Sequence, residues 1–438
     1  MKTFRKGGIH PPEDKITAGC PIVEMPVPSE LRIMLSQCIG VPPKPVVKVG
    51  DSVTRGQVVA ESSAFVSAPI HSPVNGKVSK IEPTRTPQGI WQDSIVIIPH
   101  GEKPTDASFT PRHQDEIDSL SPEDIIRIVG EAGIVGLGGA AFPTRVKLTI
   151  PKGKKADTVI INGAECEPCL TCDDALMRSD ADGIVTGTLL IMRATGAEKG
   201  IIAIEANKPE AIKAMKKAVS RFGNLQVETL KKKYPQGGEK QLIYAVTGKT
   251  VPAGSLPIET GCIVDNVATA FAVFNAVCNG IPLMERIVTV TGPDLSSPGN
   301  YLVRNGTRIS DILDFAGGMP ENTGKVVAGG PMMGKAVSCI EASSSKGLSG
   351  IVVIPDSKSM RRQASPCIRC ARCVAACPMG LEPYLLMRQG EMSLWEDMKR
   401  HGATNCLECG SCTYICPASR PLLDYIKLGK QEIRKANS

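Results

Sequence analysis

Two copies of one cysteine pattern constrain this chain of 438 residues more than any other feature. Each copy reads Cys-x2-Cys-x2-Cys-x3-Cys-Pro. The copies comprise Cys367, Cys370, Cys373 and Cys377, then Cys406, Cys409, Cys412 and Cys416. Structural zinc, the alternative, uses paired Cys-x2-Cys units or adds histidine, which this spacing fits poorly. Because the short gaps let three thiolates of one loop reach three irons of one cube, the pattern predicts two [4Fe–4S] clusters.

The bacterial ferredoxin run, which both copies match, also predicts the ligand sets. In that run the fourth cysteine of each copy ligates the other cluster. The first cluster is therefore expected on Cys367, Cys370, Cys373 and Cys416. The second is expected on Cys377, Cys406, Cys409 and Cys412. Two clusters within electron-transfer distance indicate a relay rather than a catalytic site.

The remaining composition narrows the class of protein. The first eight residues lack the apolar core of a signal peptide, and no apolar run reaches the ~18 residues of a spanning helix. Without a secretion signal a disulfide framework is not expected, so we expect the chain in the cytosol or on the cytosolic side of a membrane. Aromatic residues make up only 4%, which gives no support for base-stacking platforms, and we expect no nucleic-acid partner.

The first part of the chain predicts β-structure. Residues 1–30 are rich in proline and glycine and indicate an extended segment. In residues 31–100 short apolar runs alternate with turns, and Asn75-Gly76 is a hairpin signal. This region resembles the barrel-sandwich fold of biotinyl and lipoyl carrier domains, which carry a lysine at a hairpin tip. Because residues 61–72 contain no lysine, we expect a structural or docking module rather than a swinging arm.

Residues 118–284 predict an α/β domain. Ser121-Pro122 has the composition of a helix start, with serine as N-cap and proline in the first turn. Strand-like runs at 158–161 and 200–204 are separated and followed by helical stretches. Such alternation is typical of a layered domain with a largely parallel sheet.

Two smaller units complete the expected organisation. Residues 285–340 indicate a strand, a short helix and a second strand, and they resemble the soluble-ligand-binding β-grasp (SLBB) module. A linker containing Ser343-Ser344-Ser345 follows. The cysteine-rich tail, residues 358–438, is then expected to form a ferredoxin-like domain with two [4Fe–4S] clusters.

The α/β region contains two loops with the composition of a ligand site. The first, residues 136–147, includes Gly136, Gly138, Gly139 and Lys147. Glycines let backbone N–H groups approach an anion closely, and the lysine follows at a distance from which it could reach a phosphate. The second loop, with Asn162, Glu165 and Glu167, follows a strand, and α/β folds bind ligands at the carboxyl ends of strands.

These loops, read as GLGGAAFPTRVK and NGAECEP, resemble the FMN and NADH loops of the flavoprotein of respiratory complex I. The segments YPQGGE at 234–239 and VDNVAT at 264–269 match two further parts of that flavin site. The order of all the units is similar to that of the C-subunit family of Rnf-type ion-translocating oxidoreductases. The resemblance implies a multidomain α/β plus β fold: a barrel-sandwich hybrid, a Rossmann-like FMN- and NADH-binding domain, an SLBB module and a ferredoxin domain.

The resemblance also implies residue roles. Lys147 would bind the FMN phosphate, Asn162 would lie near the ribityl or phosphate, and Glu165 and Glu167 would lie near the dinucleotide. The remaining cofactor-binding positions that it implies are Gly136, Gly138, Gly139, Gly237, Gly238, Glu239, Asn266 and Thr269. The chain departs from the complex I pattern at three positions where that pattern has a charged residue, namely Leu137, Ala164 and Ala268.

The function implied is that of a peripheral subunit on the cytoplasmic face of the bacterial inner membrane. Hydride would pass between NADH and non-covalently bound FMN, and electrons would then move singly through the two clusters, coupled in the complex to Na⁺ or H⁺ transport. The implied partners are integral membrane and iron–sulfur subunits, NAD(H), and ferredoxin through another component. A soluble flavin and iron–sulfur reductase similar to cobalamin reductase is the first alternative, and a non-catalytic relay or assembly subunit is the second.

The other cysteines are expected to be packing residues. Cys166, Cys169 and Cys172 share the spacing of three cluster ligands, but no second motif supplies a fourth, so passive thiols beside the flavin are favoured. Cys20, Cys38, Cys262, Cys278 and Cys339 are expected to pack in the core.

Overall fold

The computed structural model describes residues 1–100 and 109–436. The last two residues of the expected 358–438 tail lie outside this range. The strands are β1 (Ile22–Glu24), β2 (Leu31–Met34), β3 (Lys44–Pro45), β4 (Ser52–Val53), β5 (Val58–Glu61), β6 (Ile70–His71), β7 (Gly76–Arg85), β8 (Trp91–Pro99), β9 (Thr158–Gly163), β10 (Lys199–Glu205), β11 (Leu225–Leu230), β12 (Cys262–Asn266), β13 (Glu285–Thr291), β14 (Gly299–Arg304), β15 (Thr323–Ala328), β16 (Lys335–Ala336) and β17 (Gly350–Pro355).

The helices are α1 (Gln114–Ser119), α2 (Pro122–Glu131), α3 (Thr144–Leu148), α4 (Cys172–Ser179), α5 (Ala181–Thr195), α6 (Pro209–Val219), α7 (Glu239–Thr247), α8 (Val267–Asn279), α9 (Ile309–Phe315), α10 (Asp356–Ser359), α11 (Arg372–Ala376), α12 (Pro383–Glu391), α13 (Trp395–Arg400), α14 (Ser411–Tyr414) and α15 (Leu422–Ala436). Short 3₁₀ helices span Pro257–Thr260 and Ala403–Asn405. In the part of the chain that the structure describes, no helix combines the length and apolarity needed to cross a membrane.

The α/β domain is built on a parallel sheet, as the alternating pattern predicts. Its order is β11-β10-β9-β12, and all three pairings are parallel. Helices α5 and α8 pack closely because Gly187 has no side chain: a Cβ there would lie 1.8 Å from the carbonyl oxygen of Ala270. The predicted cap of α2 is confirmed, since the Ser121 side chain accepts a hydrogen bond from the amide of Asp124. The carboxyl ends of β9, β10 and β12 thus meet along one edge of the sheet.

The barrel sandwich consists of two small sheets, β2-β8-β7-β4 and β3-β5-β6, around one apolar core. The hairpin predicted at Asn75-Gly76 is wrong. Gly76 begins β7 and pairs with Val53 of β4, while β6 belongs to the other sheet. Glycine is required here by space rather than by a turn, because a Cβ on Gly76 would lie 2.6 Å from the carbonyl oxygen of Ile98.

The β-grasp unit has a six-stranded sheet, β1-β14-β13-β17-β15-β16. Two of its strands lie outside residues 285–340: β1 comes from the N-terminal segment, and β17 follows the segment expected to be a linker. That segment is not a loose linker, because Ser343, Ser344 and Lys346 are buried. The Lys346 ammonium donates to the carbonyls of Pro69 and Gly133, each at 2.7 Å, and so joins the barrel to the α/β domain.

Candidate functional site

The glycine loop is held at its base and open at its tip. The Leu137 amide donates to the Thr269 hydroxyl at 2.9 Å, and Leu137 itself is buried. Gly138, Gly139 and Ala140 are exposed, and within the described residues their amides make no hydrogen bond. Three adjacent exposed N–H groups form a cradle for an anion such as a phosphate. The loop therefore fits the group that the sequence implies there.

Lys147, the last residue of this loop, lies on α3 in a small cluster of charges. Its ammonium donates to the Val264 carbonyl at 2.6 Å and lies 3.3 Å from the Asp265 carboxylate and 3.9 Å from that of Glu239. Burial lowers the pKa of Lys147, but the two carboxylates outweigh it and the pKa is raised overall. Asp265 is fully buried, and burial raises the pKa of its carboxyl. Lys147 is thus a cation held at the carboxyl end of β12.

Amide side chains connect the ends of the strands. Asn162 donates to the Gly237 carbonyl at 2.9 Å and accepts from the Ala164 amide at 3.1 Å. Asn266 caps α8 through the Ala268 amide at 2.8 Å and donates to the Asp173 carboxylate at 2.7 Å. The structure thereby brings Asn162, Asn266 and the 236–239 segment together at one edge of the sheet.

The two glutamates expected near the dinucleotide are both held by backbone amides. Glu165 accepts from the amides of Asp173 and Asp174, at 2.7 and 3.3 Å, at the start of α4. Glu167 accepts from the amides of Met332 and Met333, at 3.0 and 2.8 Å. Burial raises the pKa of Glu165 to about 7 and that of Glu167 to about 6. Glu167 therefore links the α/β domain to the β-grasp unit, in addition to any contact with a ligand.

The four thiols expected to share the second cluster are neighbours. Burial, and next the charges of Cys406, Cys409 and Cys377, raise the pKa of Cys412 to about 12. Cys377, Cys409 and Cys412 are buried, and the Tyr234 hydroxyl donates to the Cys409 carbonyl at 2.8 Å. This set of thiols thus lies against the loop that leads into Gly237 and Gly238.

The four thiols expected to share the first cluster lie farther out. Cys367 and Cys370 are exposed, whereas Cys373 and Cys416 are half-buried. Burial raises the pKa of Cys373, and the charge of Cys416 raises it to a lesser extent. The fourth cysteine of the second copy therefore lies near the third cysteine of the first copy.

The spacing of all eight thiols can be compared with a single-metal site. Four thiolates around one zinc at about 2.3 Å would lie about 3.8 Å apart. Among the described residues no three of these eight sulfurs lie within 4.8 Å of one another. The arrangement therefore does not resemble a preformed zinc tetrahedron.

Four family models match successive parts of the chain. They are described as the RnfC barrel sandwich hybrid domain (residues 2–102), the Nuo51 FMN-binding domain (129–275), the SLBB domain (287–336) and the 4Fe-4S dicluster domain (359–417). These matches confirm the predicted fold class and the order of its units.

Curated relatives match over the whole length. The C-subunit of the proton-translocating ferredoxin:NAD(+) oxidoreductase complex of Clostridium ljungdahlii is 45% identical over 100% of this chain and 95% of its own. The C-subunit of the Na(+)-translocating complex of Acetobacterium woodii is 43% identical over 99% and 98%. This chain belongs to the Rnf C-subunit family. It is therefore part of an oxidoreductase, with an FMN-binding domain and a 4Fe-4S dicluster domain.

A solved structure shares the fold. The NAD+-reducing [NiFe]-hydrogenase in its H2-reduced state superposes with a TM-score of 0.50 at 20% identity, covering 72% of this chain and 67% of that one. At this identity the likeness concerns the fold alone.

Within this Rnf-type chain the structure adds site residues that the sequence analysis missed. Arg286, on β13 of the β-grasp unit, is buried and donates to the Leu137 carbonyl at 2.6 Å and the Lys346 carbonyl at 2.9 Å. Lys15, in the N-terminal segment, donates to the carbonyls of Glu165 and Glu167 at 3.2 Å each. Neither residue lies in one of the motifs from which the site was predicted. Each reaches the site from another unit of the fold.

The three cysteines of the acidic loop have separate surroundings. Cys166 accepts from the Gly237 amide at 3.3 Å, and Cys169 packs near Leu170. Cys172 lies with Glu165 and Asp173, their ligand atoms within 4.8 Å of one another. Both of these carboxylates already accept hydrogen bonds from the chain. Of the five cysteines expected in the core, Cys262 and Cys278 are buried and the others half-buried.

Proposed function

We propose that this chain is the NAD(H)-facing subunit of a membrane-bound ferredoxin:NAD oxidoreductase that transports Na⁺ or H⁺. The observation that carries the proposal is the contact between the flavin-type domain and the tail, in which the Tyr234 hydroxyl bonds the backbone of Cys409. A cofactor site on the sheet edge and a cluster-type cysteine loop thereby share one boundary.

The residues of the sheet edge would bind and orient FMN. The free amides of Gly138, Gly139 and Ala140, with the Lys147 cation, would hold its phosphate. Asn162 and Asn266 would fix the neighbouring strand ends. Bound FMN supplies the exchange between two-electron hydride transfer from NADH and one-electron transfer. No protein nucleophile or general base is needed for that chemistry.

The order of the clusters follows from burial. The set formed by Cys377, Cys406, Cys409 and Cys412 would be the nearer to the flavin, because its member Cys409 packs with Tyr234 and Met332. The set formed by Cys367, Cys370, Cys373 and Cys416 would exchange electrons with a partner, because two of its thiols face solvent. We place that partner, together with integral membrane subunits, at the exposed end of the tail on the cytoplasmic side of the membrane.

The test is made on the anaerobically purified full-length chain. We expect FMN to be released on denaturation, and NADH to bleach the flavin and then reduce both clusters. Intact clusters without FMN would overturn the proposal in favour of a non-catalytic relay. Recovery of the chain in washed membranes with hydrophobic partners is expected, and recovery only in the soluble fraction would favour a cobalamin-reductase-like enzyme.

A further inference from the structure

The tip of the barrel sandwich contacts the later part of the glycine loop. The Ile39 amide donates to the Ala141 carbonyl at 3.1 Å, and the Arg145 guanidinium donates to the Phe65 carbonyl at 3.1 Å. The same guanidinium lies 5.8 Å from the centre of the Phe65 ring, within the range of a cation–π contact. The tip of the barrel thus stands beside the segment that carries Lys147.

Phe65 is exposed although its backbone is fixed. The residue is 59% exposed. The next residue, Val66, accepts from the Val41 amide at 2.9 Å. Val66 also packs so closely on Gly40 that a Cβ there would lie 2.0 Å from the Val66 carbonyl oxygen. An exposed aromatic ring buries little apolar surface and so adds little to stability. On an anchored loop, such a ring is well placed to stack on a flat ligand.

We propose that Phe65 stacks on the adenine of NAD(H) and that Arg145 faces the ribose–pyrophosphate part of the same ligand. This inference rests on the proposed function, because it takes the glycine loop to hold the flavin and the nicotinamide to lie over it. An aromatic face suits any base, and a guanidinium suits the negative pyrophosphate. The barrel would then be a dinucleotide-binding element that has exchanged the carrier lysine for an aromatic residue.

The test compares NADH with reduced nicotinamide mononucleotide, which lacks the adenosine monophosphate half of NADH. We expect Phe65→Ala to raise the KM for NADH about tenfold, the size of one base–aromatic stack, with kcat unchanged. For the mononucleotide we expect the same kcat/KM as wild type. Phe65→Trp is expected to restore the KM for NADH.

Trp91→Ala is the matched control. Trp91 lies on the same barrel, is 63% exposed and has the Arg85 guanidinium 5.1 Å from its ring. The Trp91→Ala variant should have the wild-type KM and kcat for both substrates. FMN content and cluster absorbance are measured for every variant to confirm folding.

The outcomes separate this inference from the function on which it rests. Wild-type chain that binds no FMN and oxidises no NADH would refute the function. An active wild type with an unchanged KM for NADH in Phe65→Ala would refute the stacking role alone. Equal losses with both substrates would show that Phe65 supports the loop structurally, and would also overturn the inference.

Discussion

Lys147 is expected to have two roles, one in binding and one in stability, and a single substitution would affect both. It is the cation that we propose for the FMN phosphate, and it is also the partner of the fully buried Asp265. Removing one partner of a buried ion pair costs about 3–5 kcal/mol, because the other charge is left uncompensated. A loss of flavin in a Lys147 variant could therefore come from lost binding or from lost stability.

We expect Lys147→Met to reduce FMN content strongly and to leave both cluster signals unchanged, and also to lower the melting temperature. The double variant Lys147→Met/Asp265→Asn should recover most of the stability, because no buried charge is left alone, but it should not recover FMN. Flavin content and thermal unfolding are measured on the same samples. Recovery of FMN in the double variant would show that Lys147 acts only through Asp265.

Glu165 leads to a prediction about how the stability of the folded chain depends on pH. Burial raises the pKa of its carboxyl from 4.5 to about 7, so the folded chain holds a proton that the unfolded chain releases. The contribution of this group to stability therefore falls as pH rises from 4.5 to about 7, and is constant above that. Glu165→Gln should remove this fall, seen as the wild-type minus variant difference in unfolding temperature across pH. Glu210→Gln, at an exposed position of α6, should leave the pH profile unchanged.

At the scale of elements, the N-terminal segment is a strap between two units. Ile9 exchanges backbone hydrogen bonds with Tyr234, each of 2.9 Å, and the Gly8 amide donates to the Ala376 carbonyl at 2.9 Å. Gly7 lies so close to the tail that a Cβ there would be 2.4 Å from the carbonyl of Cys377. Gly7 is therefore explained by the close approach of the strap to a cluster-type cysteine, whereas a Cβ on Gly8 would meet the side chain of Lys233 at 2.5 Å.

We expect Gly7→Ala to displace the strap and to weaken the cluster that uses Cys377. Gly19→Ala is the matched control, since Gly19 has the same left-handed backbone (φ of 82°, against 67° for Gly7) but no atom within 4 Å of the position of a Cβ. Both variants carry the strain of a left-handed residue, on the order of 1–2 kcal/mol. Only Gly7→Ala should speed hydrogen exchange in residues 1–15 and lower the iron content. Similar effects of the two substitutions would contradict the role of the strap.

At the scale of the whole molecule, we expect each cluster to be shared between the two cysteine runs, 367–377 and 406–416. The crossed assignment predicts that Cys377→Ser and Cys406→Ser lose the same cluster, the one nearer the flavin. Cys416→Ser and Cys367→Ser should both lose the other. Electron paramagnetic resonance of the reduced chain checks this, and matching spectra within each pair are expected. If Cys377→Ser instead matched Cys367→Ser, the ligation would not be crossed.

How much could be predicted differs between the parts of the chain. The type of the tail domain could be predicted because the cysteine spacing within each run is local, and the parallel sheet could be predicted because apolar runs alternate with helices. The turn at Asn75-Gly76 was predicted wrongly because a local turn signal was overruled by packing against Ile98. The buried segment around Lys346 was missed because a short polar run is typical of a surface linker, and only its contacts with two other units bury it.

The sequence by itself determined the units, their order, the family and the types of cofactor, because cysteine spacing, glycine loops and strand–helix alternation are local properties of the chain. Only the tertiary structure decided which groups meet. Arg286 reaches the glycine loop from the β-grasp sheet, Tyr234 meets the cysteine loop, and Phe65 meets Arg145. Each of these contacts joins residues at least 80 positions apart, and such proximity comes from the packing of whole units rather than from any local pattern.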